Sequence, residues 1–255
     1  MNETFDYIVV GAGSAGCITA AELSDAGHSV LLLESGGPAE RHPETLRTDG
    51  YKEAFINDQL LYERFTVPLR GVRNRKLFAG TGRGVGGSGS VNAMVYTRGA
   101  REDFEAWGPG WRWQDVAPDF AELERRLEPR RREPTEFTEL CINAAERSGI
   151  HRKADLNDGE LANVLGYEWM NFKGGDRRSS YVAFIKNRFL PNLTVRTDAR
   201  VLSVVLDPSG RAKAVRYRMP RATCVAEARR GSSSRPVRSS HRASCSSPGS
   251  GLAPC

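Results

Sequence analysis

The chain has 255 residues, 39% hydrophobic and 27% charged, with a formal net charge of +6 at neutral pH; that is apolar material for one large or two small globular domains. No run approaches the roughly 20 apolar residues of a membrane span and the N-terminus leads straight into a strand pattern with no signal peptide, so a cytoplasmic home without a membrane span is the expectation. Cysteines 17, 141, 224, 245 and 255 are widely spaced with no Cys-x-x-Cys, which argues against both a disulfide framework and a zinc site. The positive charge does not mark a nucleic-acid groove either. Six arginines and one glutamate lie from Met219 onward, leaving residues 1–218 close to neutral.

The chain opens on Asp6-Tyr7-Ile8-Val9-Val10-Gly11-Ala12-Gly13-Ser14-Ala15-Gly16. An apolar run into Gly-x-Gly-x-x-Gly predicts a buried strand, a tight turn and a helix over 15–26 that Gly27 ends. A second apolar strand, Val30 to Leu33, leads to Glu34. In a dinucleotide site Gly11 permits the turn, Gly13 lets backbone approach a pyrophosphate and Gly16 lets the helix pack closely on the sheet. The helix N-terminus stabilises the anion without a basic side chain. Glu34 stands where an acid would accept both ribose hydroxyls of an adenosine and repel a 2′-phosphate. The motif by itself leaves FAD and NAD open, and Cys17 reads as helix packing.

A second glycine-rich segment runs from Gly80 to Gly89 and ends in Ser90-Val91-Asn92-Ala93-Met94-Val95-Tyr96. The ordered ending suggests backbone lying flat against a planar ring rather than a linker, and the lack of Gly-Lys-Ser/Thr excludes a nucleotide-hydrolase phosphate loop. Phe104, Trp107, Val116, Phe120 and Leu123 are spaced as core positions of amphipathic helices broken by Gly108-Pro109-Gly110. Arg130-Arg131-Arg132 reads as a solvated loop. Residues 137–148 read as a helix ended by Gly149. Residues 193–197 and 200–206 read as strands, and Asp207-Pro208-Ser209-Gly210 turns the chain into 214–217 to form a hairpin.

With these motifs in order, the chain resembles the glucose-methanol-choline (GMC) oxidoreductase family over residues 6–218. The residues that carry the resemblance are the opening fingerprint, Glu34 before Gly36-Gly37, the signature Gly86-Gly87-Ser88 through Asn92-Ala93-Met94-Val95-Tyr96 with Arg98-Gly99, Gly110-Trp111, Arg177-Arg178-Ser179-Ser180, and Pro191-Asn192-Leu193-Thr194-Val195. The resemblance implies an α/β fold: a Rossmann-type FAD-binding domain with part of an interleaved α+β substrate domain, truncated. The implied boundaries are 1–100 for the FAD-binding region, 101–190 for a partial substrate or cap region, and 191–218 for strands returning to the FAD domain. It implies FAD as cofactor, with Gly11, Gly13, Ser14, Ala15, Gly16, Glu34 and Ser35 at the ADP half. Gly84, Gly86, Gly87, Ser88, Asn92, Ala93 and Met94 would line the flavin half, and the backbone of Val201 would touch the adenine. Thr81 replaces a common arginine and Gly84 a larger apolar residue, a departure expected to loosen the loop. Val91 stands where some members attach the flavin through a histidine, so non-covalent binding is expected. The implied reaction passes hydride from the CH–OH group of a small-molecule alcohol to the flavin while a base takes the hydroxyl proton. In the family that base, a histidine, lies in a C-terminal half. His28, His42, His151 and His241 match nothing in its motif, so an inactive N-terminal fragment, choline dehydrogenase-like in family, is the expectation; the alternatives are a non-catalytic flavin- or nucleotide-binding module and, behind it, a nucleic-acid-binding protein that uses the Arg/Ser tail.

Residues 219–255 hold nine serines, four prolines and one leucine, a composition that predicts disorder. They also read as an out-of-frame translation. Regrouping each codon as its last base with the next two allows Gly231 to Cys255 to read VVVAAGAIVSPGVLLLSGIGPGAV, an apolar strand, glycine turn and helix. The frame change is expected near Arg218, leaving a missing strand and an exposed sheet edge.

Overall fold

The computed structural model describes residues 3–234. These divide into two compact units, one built from residues 1–92 with 179 onward and the other from 93–178.

The first unit is organised by a six-stranded sheet in the order Leu193–Arg196, Val30–Leu33, Glu3–Val10, Ala222–Ser234, Ala212–Met219, Arg200–Leu206. The first four strands are mutually parallel, and the last three are joined antiparallel. Val30 to Leu33 are buried without exception and Ile8, Val9 and Val10 nearly so, which explains their unbroken apolar sequence: a parallel strand between neighbours is covered on both faces. Helix Ser14–Asp25 follows the first strand, and Gly27, with φ of +83°, ends it within a residue of expectation. Strands Arg200–Leu206 and Ala212–Met219 pair as the expected hairpin, with Asp207 Oδ1 accepting from the Ser209 and Arg211 amides in the turn.

The tail departs from expectation. Residues from Ala222 are not disordered but form the strand that lies between Glu3–Val10 and Ala212–Met219, with Ala226 fully buried beside Ile8, Val215 and Tyr217, and Cys224 and Ala228 packed against the same cluster. Cys224, Ala226 and Ala228 alternate onto one core, so the expected disorder does not hold over this stretch and the edge of Glu3–Val10 is covered. Residues 235–255, including most of the regrouped string and His241, lie outside the described residues.

The second unit has three helices, Arg101–Glu105, Trp113–Leu127 and Glu136–Arg147, with paired strands of only two residues each. Phe104, Trp113, Leu127, Ile142 and Met170 are buried. Phe120 is half-buried edge-on to Phe104, but Trp107, expected in the core, is 63% exposed because the helix ends at Glu105 and its ring leans on Phe104 from outside. Arg130 and Arg131 are exposed but not a plain loop: they pair with Trp169–Met170, and the Arg131 guanidinium lies 4.7 Å from the Trp169 ring centre.

Candidate functional site

The first turn is built on backbone. Gly11 adopts φ of +93°, a conformation L side chains rarely take, and its N–H donates to the Leu33 carbonyl at 2.7 Å. A Cβ at Gly16 would collide with the Gly11 carbonyl, so the third glycine is required by the close approach of helix and turn. At Gly13 the opposite holds: a Cβ there would meet nothing within 4 Å. The first intrahelical bond runs from Cys17 N–H to the Gly13 carbonyl, 2.9 Å, so the amides of Ser14, Ala15 and Gly16 precede the helical ladder and lie at its positive end. Cys17 is fully buried, its thiol pushed up to about 12 by desolvation, and its Sγ donates to the Ala12 carbonyl. It packs as expected.

Glu34 is only 5% exposed. Its Oε2 accepts from Ala12 N–H at 2.9 Å, while Oε1 accepts from Gly36 N–H at 2.8 Å, Gly84 N–H at 3.1 Å and the Ser35 hydroxyl at 3.2 Å. Each carboxylate oxygen has about two acceptor positions, so Oε1, with three donors sharing it, is fully engaged, while Oε2, with one, has room for another. Ser35 Oγ also shares a short hydrogen bond with the Tyr62 hydroxyl, whose pKa burial raises.

The second glycine-rich segment docks on this turn, backbone against backbone. Gly86 N–H donates to the Ala12 carbonyl at 2.7 Å, a Cβ at Gly87 would come within 2.8 Å of Gly13 Cα, and one at Gly36 would strike the Gly84 backbone. Gly84, Gly86 and Gly87 all have positive φ. Ser88 Oγ accepts from Gly82 N–H, Ser90 Oγ donates to the Val85 carbonyl, and Asn92 N–H donates to the Ser88 carbonyl. Gly84, expected to loosen the loop, instead sits at φ of +134° with its amide held by Glu34.

The structure thus brings Gly11, Gly13, Ser14, Ala15, Gly16, Glu34, Ser35, Gly84, Gly86, Gly87, Ser88 and Asn92 into one unit. Ala93 and Met94 open the other, where Met94 is buried at φ of +66° and its carbonyl accepts from Asn171 N–H. Val201 pairs with Tyr217 and packs half-buried against the core of the sheet. Beside the turn, Pro38, Val85, Tyr181, Ile185, Val195 and Thr197 line a cleft of about 230 Å³. Tyr62 and Tyr181 carried no signal in the sequence, since neither belongs to a periodic run or a motif. Of the histidines, His28 packs edge-on to Tyr7, His42 contacts Glu44, and His151 is exposed in the second unit. Among the described residues no cluster of His, Cys, Asp or Glu is arranged to hold a metal ion, and no helix is long and apolar enough to cross a membrane.

A family model for GMC oxidoreductases matches residues 5–241. The chain belongs to the GMC oxidoreductase family. This GMC chain is 33% identical over 224 residues to an alcohol dehydrogenase [acceptor] of Pseudomonas putida, a match covering 80% of this chain and 40% of the relative. It is also 33% identical over 218 residues to an oxygen-dependent choline dehydrogenase of Photobacterium profundum, covering 77% and 38%. Among solved structures, a formate oxidase of Aspergillus oryzae superposes with a TM-score of 0.81 at 22% identity, covering 91% of this chain and 45% of that one. An FAD-dependent oxidoreductase from Chaetomium thermophilum gives 0.76 at 21%, covering 90% and 45%. The GMC chain therefore spans about 40% of the length of the curated relatives it matches.

Proposed function

We propose that this GMC chain is the FAD-binding N-terminal portion of an oxidoreductase acting on the CH–OH group of an alcohol, and that alone it binds FAD without turning over. The observation that carries the reading is the open backbone at Gly13, set at the N-terminus of a 12-residue helix and beside a buried carboxylate with one acceptor position left. These parts suit the anionic and ribose groups of a dinucleotide. Ser14, Ala15 and Gly16 would hold the pyrophosphate through their amides, and Glu34 Oε2 with Ser35 the ribose. Gly84, Gly86, Gly87, Ser88, Asn92, Ala93 and Met94 would face the flavin half, with the Val201 backbone at the adenine. When bound, the flavin supplies a hydride acceptor. Val91 offers no nucleophile, which supports non-covalent attachment.

The proton of the alcohol needs a base. His28 is engaged with Tyr7, His42 with Glu44, and His151 is exposed in the second unit, which supports a base in the part of the relatives' length this chain does not span. The names of the curated relatives favour an alcohol such as choline.

Purified chain should bind FAD and release it on acid precipitation, and Gly13→Leu should abolish binding. Folded protein without affinity for FAD, or preferring NAD, would overturn the cofactor assignment. Flavin left in the acid pellet would overturn the non-covalent one. Anaerobic bleaching of the bound flavin by an alcohol would overturn the absence of turnover.

A further inference from the structure

Among the described residues, Glu34 is the one side chain in the first unit that accepts backbone amides from three separate segments: the first turn at Ala12, its own strand end at Gly36, and the second glycine-rich segment at Gly84, fifty residues on. A ribose partner alone would need none of these. A buried carboxylate without donors is costly, and each charge-assisted bond it accepts is stronger than a neutral one. The same group therefore fixes where the second segment lies. Gly84 carries no side chain that could anchor it instead, and its φ of +134° is a conformation other residues avoid.

Resting on the reading of this site as a flavin site, we propose that Glu34 is a positioning residue for the flavin half as well as a partner of the ribose. Its carboxylate latches Gly84 to the first turn, so that the segment from Gly82 to Ser88 is held in place before any ligand arrives. Ser35 and Tyr62 steady the latch from the other side, since the Ser35 hydroxyl bonds both Glu34 and Tyr62.

Two measurements on the ligand-free and ligand-bound chain test this with Glu34→Gln, which keeps size and loses acceptor capacity. Amide exchange across residues 82–88 should accelerate about tenfold to a hundredfold in the ligand-free variant, the change expected for losing a charged hydrogen bond. Binding of FMN, which has no adenosine ribose, should weaken at least about tenfold along with FAD. Weaker FAD binding with unchanged FMN binding and unchanged exchange in 82–88 would show that Glu34 serves the ribose alone and would overturn the latch. If the unsubstituted chain binds neither ligand, the flavin reading fails, while the exchange result still decides the latch. Should Glu34→Gln not fold, Gly84→Ala attacks the latch from the other end: exchange in 82–88 should rise while the Ala12 amide stays protected. Unchanged exchange there overturns the proposal.

Discussion

The two units of this GMC chain are held together in different ways. In the first, backbone meets backbone: parallel strands covered on both faces, and two glycine-rich segments so close that Cβ atoms at Gly16, Gly36 or Gly87 would collide. In the second, side chains carry the architecture. Arg98 grips Glu124 together with the Tyr96 hydroxyl, Arg152 pairs with Glu139, Lys173 and Arg178 converge on Glu128, and Arg101 lies over Trp113. Where backbone packs on backbone, as at Gly16, Gly36 and Gly87, there is no room for added atoms. A region built from charged and aromatic side chains tolerates change but depends on solution conditions.

The largest expected effect tests the first half of that contrast. Gly16→Val should leave the first unit unfolded, because the new side chain meets a carbonyl that cannot move without the Gly11 turn; loss of the far-UV strand and helix signal would show it, and a folded variant would refute the argument. Leu31→Ala, at a fully buried central-strand position, should cost about 2–5 kcal/mol in urea unfolding. The second unit can be read on its own, since all four tryptophans, at 107, 111, 113 and 169, lie within it. Glu124→Gln removes the charge that Arg98 pairs with and one of the two acceptor oxygens it shares with Tyr96, and should lower the stability reported by tryptophan fluorescence by about 1–2 kcal/mol, less than the core deletion.

Acid should separate the units further. Lys173 holds the Glu128 carboxyl below its ordinary value of 4.5, Arg152 does the same for Glu139, and Lys153 holds Asp158 below 3.8. A depressed carboxylate contributes stability above its unfolded pKa and loses it as pH falls through the lower folded one. Tryptophan fluorescence should therefore report loosening below the ordinary carboxylate range, sooner at high salt. A fluorescence signal insensitive to both would break the comparison. The smallest effect is expected at Trp107, whose exposed ring should tolerate Trp107→Ser within about 0.5 kcal/mol.

Much of the first unit was legible because its signals are local: four-residue apolar runs, glycines at Gly11, Gly27 and Gly210 where the chain turns, an acid at a strand end. What stayed hidden was what distance creates. Nothing near Glu34 announces that Gly84 will donate to it, and nothing near Tyr62 announces Ser35. The second unit was harder for the opposite reason: strands of two residues have no periodicity, and Trp107 keeps helical spacing although its helix has already ended. The tail was misread by averaging. Counting 219–255 as one Ser/Arg-rich block concealed Cys224, Ala226 and Ala228, which alternate onto the core.

The strand Ala222–Ser234 lies inside the sheet although it is the last strand described, pairing Glu3 with Ala226 across more than two hundred residues. On a ribosome adding roughly 5–20 residues per second, the first strand must wait about 10–45 s for this neighbour. During that time its open edge and apolar face are available to any other extended chain. Birth order and spatial order run against each other here, so the yield of this protein in a cell depends on how the opening strand is sheltered while the rest is being made.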